Sequence, residues 1–231
     1  MSGSTEFVFF DFADMRLADR SNILRAMSAL TEGDRFRFLK KALVCTDIPG
    51  EKYVPNTPEM LDRAWTNAQR AAPRYNGAYW MEFEGPGGAQ FAFGYDPRKL
   101  KRLNVTVRRA ALTGPQGDAT AAELWDAVAI LAGALGPAYG YGLFNYDTHD
   151  LPPVNAGPQA AWDINVFGAS LAQQFGRDAL LAIPAARSVE LPGGGILLAL
   201  AANPITGWQT ARSGAQALAA VLGVEAITLG G

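Results

Sequence analysis

The sequence predicts an α+β fold, a mostly antiparallel sheet with helices packed on it. Three observations lead there. Short runs such as Leu103–Arg108 alternate apolar and polar residues with the period of a half-buried strand. Other stretches, Asn22–Leu30 among them, place apolar residues at the three-and-four spacing of a helix face. The strands come as hairpins around glycine-rich turns, and a single helix follows each hairpin. This hairpin-then-helix outline occurs twice, at about 78–135 and 188–222, so two similar halves are an open reading. The two stretches share nothing beyond that outline. At 231 residues the chain reads as a single domain over 1–231, with sub-lobes 1–136 and 137–231 as the finer division.

Taken in order, Glu6–Phe12 is an apolar, aromatic run that reads as a strand. Asp19 or Ser21 is placed to cap a helix over Asn22–Leu30, with Ile23, Leu24, Met27 and Leu30 on one stripe. Helical spacing continues through Phe36, Leu39 and Leu43 in the stretch 32–44, and 47–55 reads as loop. Thr57-Pro58-Glu59 starts a helix, with Thr57 as cap and Pro58 in the first turn, that runs to about Arg70 and stops before Pro73. Ala78–Phe83 and Gln90–Tyr95 form a hairpin around Gly85-Pro86-Gly87-Gly88, and Leu103–Ala111 a third strand. Asp118 or Thr120 opens a helix that Gly136-Pro137 closes.

Beyond it, Ala138–Tyr146 reads as a strand weakened by Gly140 and Gly142, and 148–159 as a loop. A short strand over Ala161–Val166 precedes a helix over Gly168–Phe175 that Gly176 ends. Ser188–Leu191 and Ile196–Ala201 make a second hairpin across Pro192–Gly195. Gly207–Leu222 is the final, alanine-rich helix, and Val224–Leu229 reads as a tail strand.

Composition bounds the chemistry. The content of 49% hydrophobic and 18% charged residues suits a globular protein with a substantial core. A single cysteine, Cys45, makes no internal disulfide and fits a reducing compartment. The first residues lack the basic and long apolar regions of a signal peptide, and no apolar run reaches the ~18 residues of a membrane span. The expectation is a cytoplasmic protein without membrane contact. Charge is divided unevenly: residues 1–109 hold 17 Lys and Arg against 13 Asp and Glu, and residues 110–231 hold 3 against 9. No Lys or Arg lies between Arg109 and Arg177, a stretch that contains Asp118, Glu123, Asp126, Asp147, Asp150 and Asp163. Such a region either steers a basic partner or is neutralised by the basic N-terminal half.

His149 and Cys45 are the only residues of their kinds. That scarcity argues against a Ser-His-Asp triad and against a zinc site, so no metal and no cofactor is expected. The densest polar cluster is Asn145-Tyr146-Asp147-Thr148-His149-Asp150. It reads as an exposed loop, as a partner contact, or as a base, His149, oriented by Asp147 or Asp150. No G-x-S-x-G motif accompanies it, and a calcium loop needs more oxygens and a glycine turn. Tyr139 and Tyr141 fall on one side of their strand and either form a flat interface or pack beneath a helix. Neither Gly85–Gly88 nor Gly193–Gly195 opens a helix, so both are turns and not phosphate cradles. The basic cluster Arg98–Arg102 with Arg108 and Arg109 lacks the surroundings of a nucleic-acid site, and no nucleic acid is expected as partner.

One further pattern covers residues 138–222. It runs from the glycine- and aromatic-rich strand Tyr139–Tyr146 to Ile164-Asn-Val-Phe-Gly-Ala-Ser-Leu171 and a helix ending in Gly176. Arg177-Asp-Ala-Leu-Leu181, Val189–Leu191 and Gly193-Gly-Gly-Ile-Leu-Leu-Ala-Leu200 follow, and Asn203-Pro204 leads into the last helix. This order resembles bacterial immunity proteins of the type VI secretion and polymorphic-toxin systems, the Imm52-like group. The N-terminal 75 residues match nothing comparable. The resemblance implies a non-enzymatic antitoxin that binds one cognate toxin or effector and occludes it. Immunity proteins share no catalytic residues, so none is carried over. The partner contacts expected are Tyr139, Tyr141, Asn145, Tyr146, Asp147, His149 and Asp150, which cluster at one strand end in the lysine-free stretch. Two alternatives stand beside this reading. One is a hydrolase or transferase using Asp147, His149 and Asp150. The other is a small-molecule-binding domain lined by Trp80, Phe83, Phe91, Phe93 and Tyr95, whose alternation suits core packing better than a pocket.

Overall fold

The computed structural model describes residues 5–10, 20–39, 79–96, 102–142 and 157–224, together with single positions between 59 and 73. It is an α+β structure with two antiparallel sheets. The first holds β1 (Thr5–Phe10), β2 (Arg37–Leu39), β3 (Tyr79–Glu84), β4 (Gln90–Asp96) and β5 (Arg102–Arg108), in the order β1-β5-β4-β3-β2. The second holds β6 (Tyr139–Gly142), β7 (Ile164–Phe167), β8 (Arg187–Glu190) and β9 (Ile196–Ala199), in the order β6-β7-β9-β8. The end strands β1 and β6 lie side by side, so the sheets abut. The described helices are α1 (Arg20–Thr31), α2 (Arg109–Thr113), α3 (Gly117–Leu135), α4 (Ala169–Phe175), α5 (Arg177–Leu181) and α6 (Trp208–Leu222).

Strand alternation sorts the core into two layers. Phe83, Phe91, Val105 and Val107 of the first sheet meet Ile23, Met27 and Leu30 of α1 and Leu124, Val128 and Leu131 of α3. The same core runs on to Ile164 and Val166 of β7 and Leu197 and Ala199 of β9, so α3 spans both sheets. The alternate residues Phe167, Ile196 and Leu198 face the other way, against Leu180 of α5 and Ala211, Ala215 and Leu218 of α6. The second sheet is therefore enclosed between two helical layers. Each of the fully buried Val, Leu, Ile, Phe and Met side chains contributes about 1.5–3 kcal/mol over an exposed one.

Helix α3 owes its length to alanine and leucine, both strong helix formers. It ends where Gly136 adopts φ 60°, the left-handed cap that glycine takes without strain. At its start no side chain caps the helix. Gln116 occupies the cap position, and Asp118 and Thr120 lie inside the helix. The expected caps thus serve elsewhere: Asp118 accepts from Asn203, and Thr120 is buried.

Other sequence expectations shift in informative ways. The stretch after α1 is not a continued helix but a short 3₁₀ turn, Glu32–Asp34, followed by β2. Gly33, at φ 70°, turns the chain, and the buried Phe36 packs edge-on against Phe91 at 5.9 Å. The helical spacing of Phe36 and Leu39 is overridden by the pairing of β2 with β3. Strand β5 stops at Arg108, and Arg109–Thr113 becomes helical. Strand β7 begins only at Ile164, because the Asn165 side chain folds residues 162–165 into a turn. Its Oδ1 accepts from the Trp162 N–H (3.2 Å) and its Nδ2 donates to the Trp162 carbonyl (2.7 Å). The β3–β4 hairpin, α4, the β8–β9 hairpin and α6 match their expected positions within a few residues. Glu59, Asp62, Arg63, Thr66 and Arg70 are helical, while Thr57 and Pro58 lie outside the described residues. So do Asp19, the loop at 47–55 and the tail strand beyond Val224. Among the described residues no helix is long and apolar enough to cross a membrane.

Candidate functional site

The seven expected contact residues divide sharply. Tyr139 and Tyr141 are described, and both are buried, at 2% and 1% exposure. Their rings enter the core beneath α5 and α6, with Tyr141 stacked on Trp162 at 4.9 Å and Tyr139 at 5.8 Å from Phe167. Of the two readings open for them, packing beneath helices is the one the structure has, and neither ring is available to a partner. The reason lies in β6 itself. Gly140 and Gly142 present no side chains, so both tyrosines turn to the face that α6 covers. Burial also pushes the Tyr139 hydroxyl far above the ordinary range of a phenol, with Tyr141 a lesser cause. The other five, Asn145, Tyr146, Asp147, His149 and Asp150, lie outside the described residues. Their segment follows directly on Gly142, the last residue of β6.

The lysine-free acidic stretch also reads differently in three dimensions. Its four described acids are all engaged within the fold. Asp126, on α3, is paired by both Arg35, just before β2, and Arg187 of β8. One carboxylate between two guanidinium groups joins the far strands of the two sheets through α3. Asp163 is buried at 2% exposure, and Asp118 accepts a hydrogen bond of 3.0 Å from Asn203. Countercharge from the N-terminal half is thus supplied by Arg35, the neutralisation that the uneven charge left open.

Glu123, one turn before Asp126, is the most distinctive ionisable group. It is 8% exposed and projects under the β3–β4 turn. Its Oε1 accepts from the Gly87 N–H at 2.6 Å, while Oε2 is buried with no hydrogen-bond partner among the described residues. A Cβ at Gly85 would stand 2.6 Å from Oε2, and one at Gly87 2.8 Å from Oε1. The turn glycines are therefore required by the carboxylate that fills the space beneath them. Burial raises the pKa of Glu123 above the ordinary glutamate value of 4.5. The Gly87 hydrogen bond and the charge of Arg35 oppose that rise.

A second polar centre, Asn203, ties the loop before α6 to the start of α3. Its Nδ2 donates to the Leu112 carbonyl (2.9 Å) and to Asp118, and its Oδ1 accepts from the N–H groups of Ile205 (2.9 Å) and Thr206 (3.3 Å). At 2% exposure it is a structural hub, not a site for solute. Nearby, the Trp125 indole donates to the Ala202 carbonyl at 3.0 Å.

One outward face among the described residues is the side of the first sheet opposite the core. In register there stand Arg37 opposite Glu84, which in turn faces Gln90. Arg37, Gln90 and Arg108 are exposed, and Glu82 and Glu84 half-buried. Of the aromatics considered for a pocket, Phe83 and Phe91 belong to the core, and the side chains of Trp80, Phe93 and Tyr95 lie outside the description. Among the basic cluster, Arg108 and Arg109 end β5 and begin α2 on the surface, and residues 97–101 are not described. Among the described residues no group of three or more His, Cys, Asp or Glu is placed to hold a metal ion. Sequence reading passed over Arg35 and Arg187 altogether and took Asn203 only as the lead into the last helix. The one local signal was the pair of turn glycines, which mark a close approach without naming what approaches.

Comparison with known proteins adds no relative: no family model, no curated protein and no solved structure matches the chain.

Proposed function

We propose that the protein acts by binding, as an immunity protein that neutralises a cognate bacterial toxin by occluding it. The observation that supports this reading is the use the fold makes of its buried polar groups. Glu123 holds a turn, Asp126 bridges two arginines, Asn203 ties the loop before α6 to α2 and α3, and Tyr139 packs in an aromatic cluster. These groups stabilise the framework. Among the described residues the first sheet keeps a strand face of mixed charge outward, and the remaining expected contacts fall within residues 143–156, which follow β6 in the sequence. The contact set is accordingly narrowed to Asn145, Tyr146, Asp147, His149 and Asp150, with the two buried tyrosines removed. Polar and charged side chains such as these supply orientation and association rate, and an aromatic such as Tyr146 supplies the anchor.

The test is genetic and biochemical. A gene adjacent to this one is expressed alone and together with it. Toxicity that co-expression abolishes, with a stoichiometric complex on copurification, is the expected result. Asp147→Lys combined with Tyr146→Ala should then abolish protection. A neighbour that is harmless alone, or protection that survives the double variant, overturns the reading or its contact set respectively.

A further inference from the structure

We propose that Glu123 is a pH-sensitive tether for the β3–β4 turn, holding that turn against α3 more firmly when protonated than when ionised. The geometry is specific. Both carboxylate oxygens lie inside the turn, one at the Gly87 N–H and the other against Gly85, and the side chain is more than nine-tenths buried. An ionised carboxylate there has only one N–H on its two oxygens among the described residues. Buried charge is costly unless several donors satisfy it, whereas the neutral acid keeps Oε1 as the Gly87 acceptor and carries its proton on Oε2.

The charged surroundings do not remove that cost. On its own helix Asp126 follows one turn later and holds Arg187 of β8 as well as Arg35. Arg35 is the positive group acting on Glu123, and its charge is shared with Asp126. From the strands, Glu84 at the end of β3 comes beside the same turn, its Oε1 lying 3.7 Å from where a Gly88 Cβ would stand. Arg37 of β2 is opposite Glu84 in register. Acidification therefore removes the least compensated charge of the cluster and lets the turn close on α3.

Carbon-detected NMR titration of the glutamate side-chain carboxyls, with the Gly87 amide followed in parallel, tests this on the unmodified protein. Glu123 is expected to titrate above 4.5, the ordinary glutamate value. The Gly87 amide shift should share its midpoint, and Gly87 hydrogen exchange, corrected for intrinsic rate, should slow on the acid side. In Glu123→Gln the Gly87 response should vanish. A Glu123 midpoint at or below 4.5, or a Gly87 amide that does not follow it, overturns the proposal. So does a Gly87 response that persists in Glu123→Gln, which would assign the titration to Glu84. The wild-type measurements decide the question even if the variant fails to fold.

Discussion

The two sheets differ in how much they are asked to bury. Strands β6, β7 and β9 are buried along their whole length, because helices lie on both faces. Their sequences, YGYG, INVF and ILLA, show no polar face apart from Asn165, whose side chain is turned to its own backbone. In the five-stranded sheet β5 reads Arg-Leu-Asn-Val-Thr-Val-Arg and alternates, with Val105 and Val107 in the core. Antiparallel sheets usually keep one face for solvent, and β5 follows that habit in its sequence where β6, β7 and β9 do not. Hence the burial of Tyr139 and Tyr141 follows from the sheet they belong to. On a strand enclosed by helices tyrosine is core, whatever its abundance at interfaces elsewhere.

The largest expected effect breaks this contrast directly. Tyr141→Ala removes a ring stacked on Trp162 in a site with 1% exposure, and should cost about 3–5 kcal/mol in denaturant unfolding. Gln90→Ala, exposed on β4, should change stability by about 0.5 kcal/mol or less. Comparable losses from the two variants would refute the enclosure of β6. Next in size is Asn203→Ala, expected to cost about 2–3 kcal/mol, since it strands the Leu112 carbonyl and two backbone N–H groups. A loss no greater than that of Gln90→Ala would show that water replaces the amide there.

Much of this architecture was legible locally. The hairpin around Gly85–Gly88, the cap at Gly136 and the last helix follow from period and punctuation within a dozen residues. What was not legible is what joins the two sheets. Arg35 and Asp126 are 91 positions apart, as are Leu112 and Asn203, and no local pattern pairs them. For the same reason the acidic stretch reads as a surface when its partners are unknown. Strand β2 was lost differently: three residues on an edge generate too little pattern to compete with the helical spacing around them.

The junction between sheets can be weakened by smaller steps. Gly87→Ala should cost about 1–2 kcal/mol, because its Cβ displaces the Glu123 oxygen that its own N–H bonds. Gly87 is not in the left-handed region, so the loss comes from the collision alone. Glu123→Ala should therefore absorb most of it in a double-mutant cycle. Gly85→Ala should be relieved only in part, since its Cβ also meets Phe91 at 2.7 Å. Equal relief at both positions would contradict the packing of the turn. Asp126→Asn, which releases two partly exposed arginines, should cost about 1 kcal/mol, and less as salt is added.

The smallest effect has the most diagnostic sign. Most carboxylates that matter to a fold are stabilised in their ionised form, and acid weakens the protein by protonating them. Glu123 runs the other way. Its folded-state value is raised above 4.5 by burial, so between 4.5 and that raised value the native state binds more protons than the unfolded chain. Its contribution is complete below 4.5 and is lost as pH rises through the raised value. Glu123→Gln carries no proton to lose and keeps an oxygen for the Gly87 N–H. The difference in unfolding free energy between variant and wild type should thus grow in favour of the variant as pH rises through that window, and stay level above it. A difference that moves the opposite way would mean that Arg35 outweighs burial, and that the junction of the two sheets is held by an ion pair at Glu123 as well as at Asp126.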